Sequence, residues 1–158
     1  MARVFIAINL PQEIKEKLVS YYNFELPAKW TKKENLHITV DFWGYIRDDK
    51  IPEIIEKTKE KAKNISPFLI KLNKICFAPP GYSIPKMVWV TGKADKLIKD
   101  VHITLARIKK WELQRQENII EIEKNINLEF IAESLDVMES KLKKGEPEYI
   151  LLQKNKFQ

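Results

Sequence analysis

Two short segments of the chain repeat one pattern of apolar residues, and this repeat constrains the fold more than any other feature. In residues 36–43 and 101–106, every second residue is a branched or aromatic apolar one. A period of two is typical of a β-strand that buries one face. We therefore expect two related strands, each with an apolar face in the core and a second face that carries polar groups.

The polar faces of these two strands hold the only two histidines of the protein. His37 is followed two residues later by Thr39, and His102 is followed at the same spacing by Thr104. A spacing of two places each imidazole beside a hydroxyl on one face of its strand. A lone strand histidine is more often structural than catalytic, but duplication in the same apolar frame favours a shared function.

This pair of motifs fits the chemistry of phosphodiester cleavage. Imidazole has an unperturbed pKa of about 6.5, so one histidine can donate a proton near neutral pH while the other accepts one. The attacking hydroxyl or water loses a proton as the leaving oxygen gains one. The hydroxyls of Thr39 and Thr104 would then hold the nonbridging oxygens of the phosphate.

The remaining pattern predicts further strands and outer helices in one compact unit of residues 1–158. The expected strands cover residues 3–10, 68–77, 87–90, 128–137 and 149–152, and the expected helices cover residues 11–22, 48–64 and 111–124. Pro11 suits the first turn of a helix, and Asp48 or Asp49 is a candidate cap for the second helix. The strands at 68–77 and 87–90 form a hairpin around the turn-rich residues 78–81.

Composition limits the class of protein and of site. A single cysteine, Cys76, excludes an internal disulfide and a cysteine-based metal cluster, and it favours the cytoplasm. The apolar run at the amino end is too short for a signal sequence or a membrane span. Two histidines without clustered cysteines fall short of a metal ligand set. We therefore expect no metal, no cofactor and no membrane association, and a monomeric protein.

The net charge of +6 and the sequence pI of about 9.2 favour binding to polyanions such as nucleic acid. The same surface, rich in lysine and glutamate, is also typical of proteins from hyperthermophiles. Charge alone therefore leaves both interpretations open.

At the level of motifs, the chain resembles the two-histidine phosphoesterase superfamily, which is defined by paired His-x-Thr motifs. Within it, the chain is similar to the RNA 2',3'-cyclic phosphodiesterases, historically called 2'-5' RNA ligases of the LigT type. The resemblance spans nearly the whole chain and rests on residues 3–8 with Leu10 and Pro11, residues 35–39 with Phe42 and Gly44, residues 88–90, residues 102–107, and Ser140, Leu142, Gly145 and Tyr149.

This resemblance implies an α+β fold of two lobes, each an antiparallel sheet with outer helices, related by a pseudo-twofold axis. Each lobe contributes one His-x-Thr motif to a central cleft. His37 would act as the acid toward the departing 3' oxygen and His102 as the base toward water, which leaves a 2'-phosphomonoester. The partners implied are RNA ends, of tRNA or other RNA, that carry a cyclic phosphate.

The resemblance also marks the residue five positions after each histidine. Arg107 would bind phosphate bidentately, and Phe42 would stack on a base. Strict alternation turns an offset of five to the opposite face, so these roles require each strand to bend or end there. Otherwise Phe42 is a core aromatic. We expect core or lobe packing, rather than base stacking, for the four tryptophans, Trp30, Trp43, Trp89 and Trp111.

One departure from the family pattern lies between residues 91 and 101, where family members have a further helix and strand. We therefore expect a shortened second lobe and a less enclosed cleft near His102. Two alternatives remain open, namely 2'-5' ligation or cleavage by the same site, and an RNA-end binding module with weak turnover. A Gly-x-x-x-x-Gly-Lys loop is absent from the sequence, which argues against an ATP-driven ligase.

Overall fold

The computed structural model describes residues 1–81, 84–115 and 122–158. Two short 3-10 turns, Lys33–Asn35 and Asp48–Lys50, lie among the longer elements. In chain order, the helices and strands of the described residues are β1 (Ala2–Asn9), α1 (Gln12–Ser20), β2 (Ala28–Trp30), β3 (His37–Ile46), α2 (Ile51–Lys63), β4 (Phe68–Ala78), β5 (Met87–Ala94), β6 (Asp100–Ile108), α3 (Lys110–Gln114), β7 (Lys124–Ala132), β8 (Ser134–Lys143) and β9 (Glu146–Lys156).

The strands form two antiparallel sheets with matching orders. The first sheet has the order β3-β1-β8-β9, and the second has the order β2-β6-β5-β4-β7. Apart from β2, each sheet begins with the strand that carries a His-x-Thr motif, and these two strands contact each other. The α+β fold with two lobes of antiparallel sheet is therefore confirmed.

The core lies between the sheets and the outer helices, and one cluster of buried residues draws on both sheets. In β1 the residues Val4, Ile6 and Ile8 face this cluster, while the intervening residues face away from it. Helix α2 adds a stripe with a spacing of four, made by Ile54, Thr58 and Ala62. Each fully buried side chain of the size of isoleucine stabilises the fold by roughly 1.5–3 kcal/mol, so the His-x-Thr strands rest on a rigid base.

The helix predicted for residues 111–124 is wrong in its extent. Helix α3 ends at Gln114, and Lys124 already begins β7, whereas residues 116–121 lie outside the described part of the chain. The cause is the pairing of β7 with β4, in which Lys124 lies opposite Ile75. Burial alternates along β7 with the period of two that is typical of a strand. Strand pairing therefore overrides the irregular helical pattern of the sequence at the start of β7.

Three smaller expectations also need correction. The single strand predicted for residues 128–137 is two strands in different sheets, which meet at Glu133. Strand β2 was not predicted, because the segment around Lys29 reads as polar; it forms by pairing with β6. Helix α2 follows the turn Asp48–Lys50 and has no side-chain cap, so neither aspartate plays the predicted role.

The connection between β5 and β6 is short. Only residues 95–99 connect β5 to β6, and these two strands pair along nearly their whole length. The face of β5 and β6 that carries His102 is consequently left open at this end.

Candidate active site

His37 begins β3 and is held by hydrogen bonds at both ring nitrogens. Its Nδ1 lies 2.8 Å from the carbonyl oxygen of Asn35, and its Nε2 lies 3.0 Å from the hydroxyl of Thr39. A carbonyl only accepts, so Nδ1 carries a proton and donates it to Asn35. In the neutral ring, Nε2 is then the nitrogen that accepts the hydrogen bond from the hydroxyl of Thr39.

The environment of His37 favours its neutral form. Burial lowers the pKa of His37 below the ordinary value of 6.5, the hydrogen bond to the Asn35 carbonyl raises it, and the positive charges of Lys15 and His102 lower it again. The strands β3 and β6, which carry His37 and His102, contact each other. The structure therefore brings both predicted histidines to one site.

His102 lies on β6 and is held by packing. Its ring stacks on the indole of Trp89, with ring centroids 4.1 Å apart and planes inclined by 21°. Across the strand pair, Thr91 lies opposite His102 and Trp89 lies opposite Thr104. Burial lowers the pKa of His102 as well. Trp89 thus contacts the histidine rather than filling the core.

A β-bulge follows each His-x-Thr motif and turns the next residues toward the site. In the pairing of β1 with β3, Ala7 lies opposite Thr39 and Ile6 opposite Asp41, which leaves Val40 without a partner. After this extra residue, Phe42 pairs with Phe5 and shares the face of Thr39. The bend that the offset of five requires is therefore present in β3.

A β-bulge also follows the His-x-Thr motif of β6. Trp89 lies opposite Thr104 and Val88 opposite Ala106, so Leu105 is the extra residue. Arg107 then pairs with Met87 and lies on the face of His102 and Thr104. Both offset-five residues thus reach the face that carries their histidine, one in each lobe.

Phe42 is not a core aromatic. Its side chain is 52% exposed, and the guanidinium carbon of Arg3 lies 4.9 Å from its ring centroid. An exposed ring on the histidine face is available for stacking. The expectation that the tryptophans pack in the core or between the lobes fails in the same way for Trp111, which is 78% exposed, and Trp43 is 40% exposed.

Tyr149 from the opposite edge of the first sheet forms a wall beside His37. Its ring meets the imidazole edge-on at a centroid distance of 5.1 Å, and Phe5 lies 5.0 Å from the same imidazole. Burial raises the pKa of Tyr149, while the positive charges of Arg107 and Arg3 oppose that rise. Arg3 is close to Tyr149 in the sheet, because Ser140 pairs with both residues. From the sequence, Tyr149 was only one of the residues that carry the resemblance, and no role was predicted for it.

The sheet curls so that the β8–β9 hairpin reaches the segment before β3. At its tip, the Oε1 of Glu146 lies 3.5 Å from the Nζ of Lys29, and its Oε2 lies 2.9 Å from the Nζ of Lys32. The side-chain amide of Asn35 donates to the carbonyl of Pro147 at 3.1 Å. These contacts hold Tyr149 over His37.

A partly buried polar pair lies beside His37. Asn9, which is opposite His37 in the strand pairing, donates from Nδ2 to Oδ2 of Asp136 at 2.7 Å. Asp136 is only 2% exposed, and its Oδ1 has no partner among the described residues. No sequence signal distinguished this pair, because Asn9 and Asp136 meet only through strands distant in the chain.

The described residues hold neither a metal-ligand cluster nor a helix suited to crossing a membrane. No group of three histidine, cysteine or acidic side chains lies close enough to hold a metal ion. Among the described helices, none has the length and apolar character needed to cross a membrane.

With this geometry established, comparison with known proteins identifies the family. Residues 8–89, which include the first His-x-Thr motif and Trp89, match the family described as LigT like Phosphoesterase. The chain belongs to this family. The family match ends at Trp89, before β6, so it does not include the second motif.

Curated relatives carry a common name. The chain is 33% identical over 99 residues to the RNA 2',3'-cyclic phosphodiesterase of Methanocaldococcus jannaschii, a match that covers 61% of this chain and 54% of the relative. It is 24% identical over 124 residues to the protein of that name from Aquifex aeolicus, with 63% of this chain and 65% of the relative covered. These matches thus span about half to two-thirds of the relatives' own length.

Solved structures share the fold over nearly the whole chain. TT0787 of Thermus thermophilus superposes with a TM-score of 0.84 at 22% identity, covering 98% of this chain and 97% of that one. LigT of E. coli in complex with 3'-AMP superposes with a TM-score of 0.75 at 19% identity, covering 99% and 98%. At these identities the likeness establishes the fold.

Proposed function

We propose that this protein hydrolyses the terminal 2',3'-cyclic phosphate of RNA to a 2'-phosphomonoester, with His37 and His102 as a general acid–base pair. The observation that carries the proposal is the duplicated strand, in which a histidine, a threonine and, after a bulge, the offset-five residue share one face. The name shared by the curated relatives supports the substrate class. The net charge of +6 is consistent with a polyanionic substrate.

The reaction balances with two proton transfers and one water. A water oxygen attacks phosphorus as one histidine takes its proton, and the bond between phosphorus and the 3' oxygen breaks as the other histidine protonates that oxygen. The phosphate stays on the 2' oxygen. Thr39 and Thr104 donate hydrogen bonds to the nonbridging oxygens, and Arg107 balances their charge.

Burial lowers the pKa of both histidines, and the order of their roles follows the resemblance. At His37 burial is the largest influence and lowers the pKa, but the hydrogen bond to the Asn35 carbonyl opposes this lowering in part, as an acid toward the 3' oxygen requires. The pKa of His102 is lowered by burial, and this favours the neutral form that a base toward water requires. Phe42 and Arg3 lie together at the rim, where a base can stack on the phenyl ring.

A product assay tests this proposal against its alternatives. A short RNA with a 2',3'-cyclic phosphate end should yield only the 2'-phosphate, identified by phosphorus NMR, and should do so at full rate after exhaustive EDTA treatment. Loss of activity that Mg²⁺ or Mn²⁺ restores would refute the metal-free mechanism.

Two further arms of this assay separate the alternatives. With an added 5'-hydroxyl RNA, a joined product with a 2'-5' linkage would favour ligation. Tight binding without any product would favour an RNA-end binding module. The His37→Ala/His102→Ala double variant is the control for contaminating nucleases.

A further inference from the structure

Two exposed aromatic rings, Phe42 and Tyr45, follow the first His-x-Thr motif along β3. We propose that Tyr45, together with Arg3, binds the nucleotide that precedes the terminal one in the RNA, an inference that rests on the proposed function. The protein then prefers the ends of RNA chains to free nucleoside 2',3'-cyclic phosphates, because only a chain reaches both positions.

A second β-bulge in β3 brings Tyr45 to the face of the site. Phe42 and Gly44 lie opposite consecutive residues of β1, which leaves Trp43 without a partner. Gly44 has a φ of 77°, a conformation that glycine adopts readily and that suits a bulge. A residue three positions after Phe42 would face the other side of an alternating strand. The extra residue reverses this, and Tyr45 lies opposite Arg3.

Strand pairing shows that this face is continuous with the histidine. Residues directly opposite each other in an antiparallel pair point to the same side of the sheet. The residues of β1 that face away from the core lie opposite four residues of β3 in turn, His37, Thr39, Phe42 and Tyr45. The position of Tyr45 is two residues of β1 beyond that of Phe42, or about 7 Å. One nucleotide of an extended RNA strand spans such a distance.

The ring of Tyr45 is accessible to a base. Its side chain is 69% exposed, more than that of Phe42, whereas Phe5 on the same face is buried. Proteins that bind single-stranded RNA stack successive bases on successive aromatic side chains along a positively charged groove. A base on Phe42 therefore leaves Tyr45 as the platform for the preceding base.

Arg3 lies between the two rings and supplies the positive charge. It is opposite Tyr45 in the strand pairing, and its guanidinium carbon lies 4.9 Å from the ring centroid of Phe42. Its side chain is exposed and forms no ion pair among the described residues. The phosphate that joins two nucleotides lies between them, so a guanidinium between two stacking rings is placed to bind it.

The opposite direction along β3 is occupied by the protein itself. The side-chain amide of Asn35, just before His37, donates to the carbonyl of Pro147 in the β8–β9 hairpin, and Glu146 of the same hairpin binds Lys29 and Lys32. An RNA strand that leaves the histidines therefore passes over the exposed end of β3.

Three ligands separate the contributions of the preceding base and its phosphate. They are adenosine 2'-phosphate, the adenine dinucleotide that ends in a 2'-phosphate, and the same dinucleotide with an abasic first nucleotide. Affinity is measured by calorimetry at one low salt concentration for the parent protein and for Tyr45→Ala, Tyr45→Phe, Arg3→Gln and Trp43→Ala. Circular dichroism confirms that each variant is folded.

Tyr45→Ala should weaken binding of the intact dinucleotide by about 5- to 100-fold, the effect of one lost stacking contact, and should leave the other two ligands unchanged. Tyr45→Phe should bind all three like the parent, because it keeps the ring. Arg3→Gln should weaken both dinucleotides by about 3- to 10-fold, the effect of one lost hydrogen bond, and should spare adenosine 2'-phosphate.

Trp43→Ala is the matched control. It removes an aromatic side chain of the same strand whose ring lies 6.0 Å from the Nζ of Lys57 in α2, and it should change none of the three affinities. Equal losses for all three ligands in Tyr45→Ala, or no loss with the intact dinucleotide, would overturn the inference. Because binding needs no turnover, the expected affinities in a protein that fails to hydrolyse the cyclic phosphate would refute the proposed function alone.

Discussion

The two histidines have equivalent places in their strands but different surroundings. His37 is hydrogen-bonded at both nitrogens and enclosed by Phe5 and Tyr149. His102 stacks on Trp89 and borders an open cavity. Paired acid and base roles require such a difference, because two identical imidazoles would hold their protons equally well.

Removal of either imidazole should stop turnover while the protein stays folded. We expect His37→Ala and His102→Ala each to lower kcat by about 100- to 10,000-fold, with a much smaller change in the Kd for product RNA. The double variant should lose far less than the product of the two single losses, because residues that act as a unit are not additive. Near-parental turnover in either single variant would contradict a paired mechanism.

The pH dependence should reflect the lowered pKa values of both histidines. A plot of kcat/KM against pH reports the free enzyme and should be a bell, which falls in acid as the base gains its proton and in alkali as the acid loses its proton. Both pKa values lie below 6.5, so the maximum should lie below about pH 6.5. A maximum well above pH 7 would be incompatible with these environments.

Lys15 provides a test of which limb belongs to His37. Its charge lowers the pKa of His37, so Lys15→Gln should move one limb of the bell to higher pH. If His37 is the acid, the alkaline limb moves; if it is the base, the acid limb moves. Lys17→Gln, an exposed change on the same helix, should leave both limbs in place.

At the scale of strands, β-bulges position the side chains of the site. Extra residues at Val40 and Leu105 turn Phe42 and Arg107 to the histidine faces. Bulges bend a strand and redirect the side chains that follow, so an alternating strand could not present all these groups on one face.

The close backbone approach at Gly92 should be sensitive to a single methyl group. Gly92→Ala forces a Cβ toward the carbonyl of Lys71 and should lower the free energy of unfolding by about 1–3 kcal/mol, as overpacking does. Urea denaturation measures this loss. Asp95→Ala, an exposed change in the neighbouring connection, should change the midpoint little, and parental stability of Gly92→Ala would show that the strands can separate without cost.

For the whole molecule, the excess of basic residues should make RNA binding depend on salt. Each phosphate contact releases counterions, so the logarithm of the affinity should fall linearly with the logarithm of the salt concentration. Arg107→Ala should make this slope shallower by about one contact. The exposed Arg47→Ala, whose guanidinium pairs with Asp49, should leave it unchanged. An RNA affinity that does not change with salt concentration would exclude a contribution from the basic surface.

The sequence by itself determined the strands whose alternation is local, the first two helices and the identity of the histidine and threonine pairs. Periodicity depends on neighbouring residues, so it survives without knowledge of the partner strand. It failed where pairing decides the outcome, as in β2, in β7 and at Glu133 between two sheets.

Only the tertiary structure decided which side chains meet. The register between β1 and β3 created the bulge that moved Phe42 out of the core, and the curl of the first sheet brought Tyr149 to His37 from the far edge. The pair of Asn9 and Asp136 joins residues 127 positions apart. A bulge or a long-range contact depends on the backbones of two strands together, and neither strand's sequence specifies it alone.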